Sequence, residues 1–288
     1  GEKVEPKYYV PIIPMVLVNG CKAGIGTGWA SVIPCYNPLD LIECIKAWLE
    51  NGNKAFDTDE DSGITVSLLP EIKPWYRGHK GRLEQLGEGS YMSWGVMDKD
   101  DKGKIHVTEL PVGMWTSEFT KRLESLKEEK KIANYKNHST PKEINFIITE
   151  TKDGTACSEK SLKLYEPIKT TNMVLFSNEF AIKKFNSPEE IIDMFCGVRY
   201  DYYVKRKHRQ LRELEREIKM MGNKKRFLEE VRDGVFRLFD EKKGKKQSRK
   251  TADIVNDLEE SGYDKDSGIE EVVEGEEVES KKTGYEYL

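Results

Sequence analysis

The sequence predicts an α+β protein in which an antiparallel sheet with flanking helices is followed by a long helix. Between residues 64 and 110, apolar and polar residues alternate in short segments, a pattern typical of half-buried strands. At residues 39–50 and 116–131, apolar residues recur instead at the three-to-four-residue spacing of a helix. A highly charged stretch, from about residue 198 to beyond residue 220, predicts the long helix.

The first part of the chain predicts a strand, a tight loop and the start of a helix. Residues 8–29 form an apolar run rich in Val and Ile that ends in a glycine cluster, and Pro34 follows it. The helix at 39–50 has either Asn37 or Asp40 available as its N-cap. The polar, acidic stretch 53–63 is predicted to be a loop or disordered.

The remaining elements follow in order along the chain. Four strands of the antiparallel sheet are expected at 64–69, 82–86, 90–97 and 104–110, with a hairpin loop at 98–103. After the helix at 116–131, which Thr116 opens, two strands are expected at 144–150 and 173–176, with a short element at 162–165 between them. Two helices are then expected, at 188–195 and from about 198 to beyond 220, before a basic and then acidic tail from residue 242 onward.

Composition excludes several classes of protein. Among 288 residues, 34% are charged and the mean hydropathy is -0.67, and the apolar run at 10–18 is too short for a bilayer and is broken by Pro11 and Pro14. No secretory signal precedes it, and the five cysteines are scattered without a C-x-x-C pair. These features predict an intracellular protein with reduced thiols and no membrane partner.

Charge is segregated along the chain. The net charge of -4 taken alone argues against a nucleic-acid partner, but the basic segments 205–212 and 242–250 are separate from the acidic segment 270–279. Such basic segments could neutralise DNA phosphates, or they could be solvated helix faces and loops. The charge pattern leaves both interpretations open.

The glycine cluster at residues 24–28 resembles a nucleotide-binding loop only superficially. The third glycine of G-x-G-x-x-G is missing, and Pro34 falls where the phosphate-binding helix should run. No Gly-Lys-Ser/Thr follows, so a P-loop is excluded, and a nucleotide-dependent oxidoreductase is disfavoured. What remains is a tight loop with Ile25 between two glycines, and for an isolated loop of this kind a buried Ile25 is the expectation.

No metal site or catalytic constellation is predicted. The alternating carboxylates at 57–61 lack the glycine and the later glutamate of an EF-hand, because Ser62 stands where the glycine is needed. Asp98, Asp100 and Asp101 lie in the expected hairpin loop, where acidic residues are common. The histidines are far apart in sequence, and no nucleophile elbow or zinc spacing is present.

A family resemblance rests on residues 9–29, YVPIIPMVLVNGCKAGIGTGW, and on further motifs in the family's order. The first string closely resembles the segment after the nucleophile in eukaryotic and large-virus topoisomerase II, a type IIA DNA topoisomerase. The other motifs resemble two parts of its tower (74–83 and 108–116), a further strand (171–176), the start of its long coiled-coil helix (199–207), the helix that pairs with it (225–234), and the approach to the returning helix (262–264 and 284–288).

The resemblance implies three regions. Residues 1–38 would be the end of a winged-helix region, residues 39–196 a tower domain, and residues 197–288 the base of a coiled-coil arm with a charged, partly disordered stretch. In the family, the isoleucine of the GIGTG loop is wedged between base pairs, which here is Ile25. Gly24, Gly26, Thr27 and Gly28 would form the wedge loop.

The resemblance also implies contacts to the DNA backbone. Lys22 replaces the acidic residue usual in eukaryotic members and could contact a phosphate, or nothing. Arg77, His79 and Lys80 are candidate phosphate contacts of the tower, although a hairpin surface without a ligand is an equal alternative.

The catalytic parts of the family are not found in this sequence. The resemblance implies a tyrosine nucleophile helped by an arginine, Mg²⁺ on an acidic cluster, and ATP bound elsewhere. Arg199-Tyr200 has the catalytic dipeptide, but its surroundings match the coiled-coil base. We therefore expect an internal fragment, inactive alone, of an ATP-dependent topoisomerase.

That enzyme would bind double-stranded DNA as a homodimer, through regions mostly outside this chain, in the nucleus or in the viral factory or virion of a DNA virus. The alternative is a stand-alone architectural DNA-binding protein that kept the tower and lost catalysis.

Overall fold

The computed structural model describes residues 9–59, 65–101, 103–151, 157–242, 245–265, 271–273, 276–278 and 284–285. The chain divides into two compact units, Gly1–Tyr200 and Asp201–Leu288, and the division falls within one helix. All strand pairs are antiparallel, so the predicted α+β class with an antiparallel sheet is confirmed. Within the described ranges, no helix combines the length and apolar character needed to cross a bilayer.

The first unit opens with a short helix and a β-hairpin. Helix α1 (Met15–Asn19) begins after Pro14 and ends at Gly20, whose φ is 64°. Strands β1 (Cys21–Gly26) and β2 (Trp29–Ile33) then pair, with Gly26 opposite Trp29. The prediction of one strand followed by a glycine loop is wrong. Pro14 suits the start of a helix, and two of the predicted loop glycines lie within β1, so that the turn is only Thr27 and Gly28.

Helix α2 (Pro38–Glu50) confirms the helix predicted at 39–50. The Asn37 side chain accepts a hydrogen bond from the Leu39 backbone N–H at 3.0 Å, so Asn37 is the cap and Asp40 lies in the first turn. Strand β3 (Phe56–Thr58) pairs with β4 (Thr65–Ser67). The loop predicted at 53–63 is therefore wrong at 56–58, while 60–63 lie outside the described residues.

Two sheets form the middle of the first unit. The three-stranded sheet has the order β11-β6-β5, and the four-stranded sheet has the order β7-β8-β10-β9. The predicted strand at 90–97 is divided at Gly95, because a side chain there would lie 2.5 Å from the Glu109 carbonyl oxygen. The strands are β5 (Leu83–Gly87), β6 (Ser90–Trp94), β7 (Val96–Lys99), β8 (Lys104–Glu109), β9 (Ile132–Asn137), β10 (Phe146–Glu150) and β11 (Tyr165–Lys169).

Helix α3 (Thr116–Glu128) packs beside these sheets, and its first residue is the predicted Thr116. The buried side chains of α3 and the four-stranded sheet form one core cluster, which includes Phe119, Leu123, Phe146 and Ile148. A second cluster joins α1, α2 and the residues around β12 (Met173–Phe176) and β13 (Ile182–Phe185). Leu17, Tyr36 and Leu41 are among its buried members.

Helix α4 (Pro188–Arg232) is one continuous element of 45 residues. The prediction of two helices separated near Gly197 is wrong, because a glycine inside a helix costs only about 1 kcal/mol relative to alanine and does not end it. The assignment of 225–234 to a separate pairing helix is also wrong, since residues 225–232 are the last turns of α4.

The second unit builds a small core around the end of α4. Its buried residues are Phe227, Phe236, Ile254, Leu258, Tyr263 and Tyr285. The other elements are β14 (Phe239–Lys242), β15 (Lys245–Ser248), α5 (Thr251–Glu260), β16 (Glu271–Val273) and β17 (Glu276–Val278). Several residues of the charged stretch predicted to be partly disordered lie outside the described ranges.

Candidate nucleic-acid interface

Ile25 lies near the tip of the β1–β2 hairpin and is 88% exposed. The expectation of a buried Ile25, drawn from the loop alone, is wrong. Its glycine neighbours lie in crowded surroundings, because a side-chain carbon at Gly26 would be 2.4 Å from the Trp29 ring and one at Gly24 would be 2.8 Å from the Cys21 sulfur. The hairpin is therefore narrow on both sides of Ile25, and the isoleucine projects alone.

The second strand of the hairpin is held by residues far away in sequence. The backbone N–H of Val32 donates to the Asn172 carbonyl at 2.8 Å, and the Asn172 side chain donates to the Ala30 carbonyl at 3.1 Å. The buried Ser31 hydroxyl accepts a hydrogen bond from the Val174 N–H at 3.1 Å. The hairpin is thus connected to β12 rather than free to swing.

The first strand of the hairpin is held through Lys22. Its ammonium donates to the Gly113 carbonyl at 2.8 Å, in the loop that leads into α3. That loop is itself fixed, because the Val112 N–H donates at 2.9 Å to the hydroxyl of Ser93, which is fully buried. Lys22 therefore connects β1 to a rigid loop, and its ammonium contacts protein.

The three candidate phosphate contacts of 74–83 have different surroundings. Arg77 and Lys80 are exposed, whereas His79 is partly buried with its Nε2 3.4 Å from the Ser93 hydroxyl oxygen. Burial lowers the pKa of His79 below its usual value, so the ring is neutral at pH 7. Ser93 already accepts from Val112, so its hydroxyl hydrogen is directed at His79.

Trp115 is an exposed aromatic residue that sequence reasoning did not single out. It is 71% exposed and lies two residues after Gly113, close to the loop that Lys22 contacts. A signal was present in the sequence, because Trp115 occupies the N-cap position of α3, where small polar residues are usual. Asn172 and Ser93 were also missed, and their roles depend on partners too distant in sequence to infer.

The acidic hairpin and the Arg-Tyr dipeptide have structural partners. Asp100 accepts a hydrogen bond from the Lys104 N–H at 2.8 Å and lies 3.2 Å from His106. Arg199 donates to the Val10 carbonyl at 2.6 Å, and the Tyr200 ring lies 6.3 Å from that of Trp48. Among the described residues, no group of three His, Cys, Asp or Glu side chains could hold a metal ion.

Comparison with known proteins places the chain in a family. Residues 1–277 match the family of the DNA gyrase/topoisomerase IV A protein. The chain belongs to this family of type II DNA topoisomerases. The resemblance carried by residues 9–29 is therefore confirmed.

Named relatives of this topoisomerase chain come from plants, viruses and parasites. DNA topoisomerase 2 of Arabidopsis thaliana is 35% identical over 275 residues, which are 91% of this chain and 17% of that protein. DNA topoisomerase 2 of Invertebrate iridescent virus 6 is 33% identical over 234 residues, 79% of this chain and 19% of that protein. The chain thus spans less than a fifth of the length of these relatives.

A solved structure shares the fold. The crystal structure of the Plasmodium falciparum topoisomerase II DNA-binding, cleavage and re-ligation domain matches this chain with a TM-score of 0.70 and 32% sequence identity. The match covers 91% of this chain and 34% of that one. The mixed helical and antiparallel fold of this chain is therefore that of the corresponding part of a type II topoisomerase.

Proposed function

We propose that this chain is the part of an ATP-dependent type II DNA topoisomerase that bends the DNA segment to be cut, with Ile25 as the intercalating wedge. The observation that carries the proposal is an isoleucine, 88% exposed, at the tip of a hairpin whose two strands are both held by distant residues. Gly24, Gly26, Thr27 and Gly28 form the narrow tip that lets the backbone approach a groove.

The energetics of intercalation favour such a mounted side chain. Separating two stacked base pairs costs a few kcal/mol, which contacts to the bent duplex offset. Burying an isoleucine that is exposed in the free protein returns about 1.5–3 kcal/mol of that cost. A hairpin free to move would lose part of this gain by deforming, so the contacts of Lys22 and Asn172 support the role.

Contacts to the DNA backbone would come from exposed cations. Arg77 and Lys80 are exposed and could neutralise phosphates, which would position the duplex without reading its sequence. His79 is neutral and turned toward Ser93, so we propose that it supports the tower motif instead. For Lys22, we propose that it acts through the Gly113 carbonyl rather than through a phosphate.

The decisive experiment replaces Ile25 by alanine and measures DNA bending, by energy transfer between dyes at the two ends of a duplex. We expect Ile25→Ala to reduce bending while the free energy of unfolding stays nearly unchanged, because the side chain is 88% exposed. The matched control is Leu39→Ala, which removes another largely exposed side chain, 68% exposed, from outside the hairpin.

Two outcomes would reject the wedge. Bending equal to that of the unmodified chain would remove the proposed role. A loss of about 2–5 kcal/mol in the free energy of unfolding would identify Ile25 as a core residue instead.

Family membership implies Mg²⁺ and ATP for the complete enzyme. The described residues do not fit a metal site, since none of their acidic, His or Cys groups could hold an ion. We therefore assign both cofactors, and the nucleophile, to other parts of a longer homodimeric protein. We further propose that this protein works on DNA in the nucleus, or in the viral factory or virion of a DNA virus.

Helix α4 carries a feature that suits the base of a coiled-coil arm. Val204, Leu211 and Ile218 are spaced at seven-residue intervals, as are Leu214, Met221 and Leu228, which together give the a and d positions of a heptad repeat. All six side chains are exposed, between 39% and 66%. We propose that this apolar stripe packs against another helix of the longer protein.

A further inference from the structure

A cavity of 570 Å³ opens in the first unit, beside the first turn of α4, and the proposed function makes no use of it. Six of the residues that line it concern its chemistry: Tyr36, Glu71, Glu88, Tyr91, Thr170 and Glu189. The cavity borders the three-stranded sheet through Tyr91 and the core cluster of α1 and α2 through Tyr36. Its size lies within the range of about 300–1,000 Å³ that is usual for small-molecule sites.

Three buried hydroxyl groups face this cavity without a protein partner. Tyr36 is 1% exposed, Thr170 is 5% exposed and Tyr91 is 8% exposed. Within the described part of the chain, none of the three hydroxyls makes a hydrogen bond. Leaving a buried hydroxyl unpaired costs about 1–3 kcal/mol, so whatever fills the cavity is expected to pair with these groups.

The hydroxyls lie next to carboxylates. Burial raises the pKa of Tyr36 above its ordinary value, and the nearby Tyr91 and Glu189 raise it further. Burial likewise raises the pKa of Tyr91, with Glu71 and Glu189 adding to the effect. Both phenols therefore stay protonated at neutral pH, and each can donate one hydrogen bond as well as accept others.

The charge of the lining is of one sign. Glu71, Glu88 and Glu189 line the cavity, and no described lining residue is Lys, Arg or His. Glu71 has an exposed, long contact of 3.8 Å with Lys73, which a ligand could replace at little cost because exposed ion pairs contribute about 0–1 kcal/mol. The cavity therefore suits a positively charged ligand.

The arrangement of the carboxylates selects among cations. These glutamates do not form a group that could hold a metal ion, which excludes a compact divalent cation held by all three. A flexible chain with several ammonium groups can reach carboxylates that are too far apart for one ion. Its methylene groups would contact Phe56 and Ile72, which also line the cavity.

We propose that this cavity binds an aliphatic polyamine. The ammonium groups donate to Glu189 and to the exposed glutamates, and they also donate to the hydroxyl oxygens of Tyr36, Tyr91 and Thr170. The ligand would join the core cluster, the three-stranded sheet and the first turn of α4 within the first unit. This site is independent of the proposed DNA wedge, so either inference can fail without the other.

The test is calorimetric titration of the 288-residue chain with spermidine in a buffer of about 0.15 M salt, where weak surface attraction is screened. We expect one binding site per chain. Glu189→Gln and Tyr36→Phe are each expected to weaken binding by about tenfold or more, because each removes a hydrogen bond to a charged group. Thr170→Val serves as a third variant should either of these alter the melting temperature.

The matched control is Glu50→Gln, which removes one negative charge from the exposed end of α2, outside the cavity. We expect it to leave the affinity unchanged, and we expect butylamine, with one ammonium group, to bind far more weakly than spermidine. Equal weakening by Glu50→Gln would mean diffuse attraction to an acidic chain and would overturn the proposal. Displacement of spermidine by low concentrations of Mg²⁺, or full affinity in both Glu189→Gln and Tyr36→Phe, would also overturn it.

Discussion

At the scale of single residues, the position of the Lys22 ammonium is the most informative contact near the hairpin. A lysine beside a DNA-binding loop is usually interpreted as a phosphate contact, but this ammonium donates to the Gly113 carbonyl at 2.8 Å. The two roles differ in a measurable way. A phosphate contact releases counterions when DNA binds, whereas a lysine that positions the hairpin does not.

Lys22→Met tests this difference, since methionine keeps an apolar stem and removes the charge. We expect DNA bending to fall while the slope of log affinity against log salt concentration is unchanged. The control is Lys80→Met, which removes an exposed lysine and is expected to reduce the slope by about 0.9. A similar reduction of the slope in Lys22→Met would establish a direct phosphate contact.

His79 predicts a pH dependence of stability. Burial lowers its pKa in the folded chain below the ordinary value of 6.5, so the unfolded chain binds the proton more readily. Its contribution to stability is therefore complete above pH 6.5 and is lost as the pH falls toward the lower pKa of the folded state. Urea unfolding of the parent chain and of His79→Gln should differ less at pH 5 than at pH 7. His138→Gln, at an exposed position, should show no such trend.

At the scale of elements, α4 has two parts with opposite expectations. The heptad stripe of Val204, Leu211, Leu214, Ile218, Met221 and Leu228 is exposed, whereas Phe227 is 6% exposed in the core of the second unit. An exposed apolar row of this length on one helix face is typical of a helix that pairs with another.

Leu214→Asp tests the stripe. In this chain we expect the free energy of unfolding to change by less than about 0.5 kcal/mol, because an exposed position tolerates substitution. In a longer protein that includes the pairing helix, the same change should lower stability measurably. Phe227→Ala is the contrasting variant and should cost about 3–5 kcal/mol in this chain, because its side chain is buried. A large loss from Leu214→Asp in this chain would contradict the exposed stripe.

Local pattern predicted some elements and not others. The strands β8 and β10 and the helices α2 and α3 follow from alternation or helical spacing within each segment. Helix α1 was missed because five apolar residues have no period that separates a helix from a strand. The continuity of α4 through Gly197 was missed because a single glycine is compatible with both an end and an interior position.

At the scale of the whole molecule, long-range contacts decide what sequence reasoning could not. The family motif at 24–28 located the hairpin, but the exposure of Ile25 depends on how β1 and β2 are held in space. Asn172 is 142 residues from Ala30, and Lys22 is 91 residues from Gly113. No local pattern contains those pairings, so the loop alone favoured the wrong, buried position for Ile25.

The chain as a whole should bind DNA without cutting it. We expect a supercoiled plasmid mixed with the chain, Mg²⁺ and ATP to remain supercoiled, because no described group holds a metal and Arg199 and Tyr200 are engaged within the fold. Gel electrophoresis would reveal linear or relaxed plasmid. Cleavage that persists in the pure chain and disappears in Tyr200→Phe would contradict this expectation.

The crowding of Gly26 against Trp29, beside an open position 25, has a consequence for sequence variation. In a library of variants sorted by cellular abundance, position 25 would accept most amino acids, while position 26 would accept almost none. Sorted by growth that depends on topoisomerase function, both positions would be intolerant. Two adjacent residues would thus be conserved over time for unrelated reasons, one for the shape of the protein and the other for the shape of DNA.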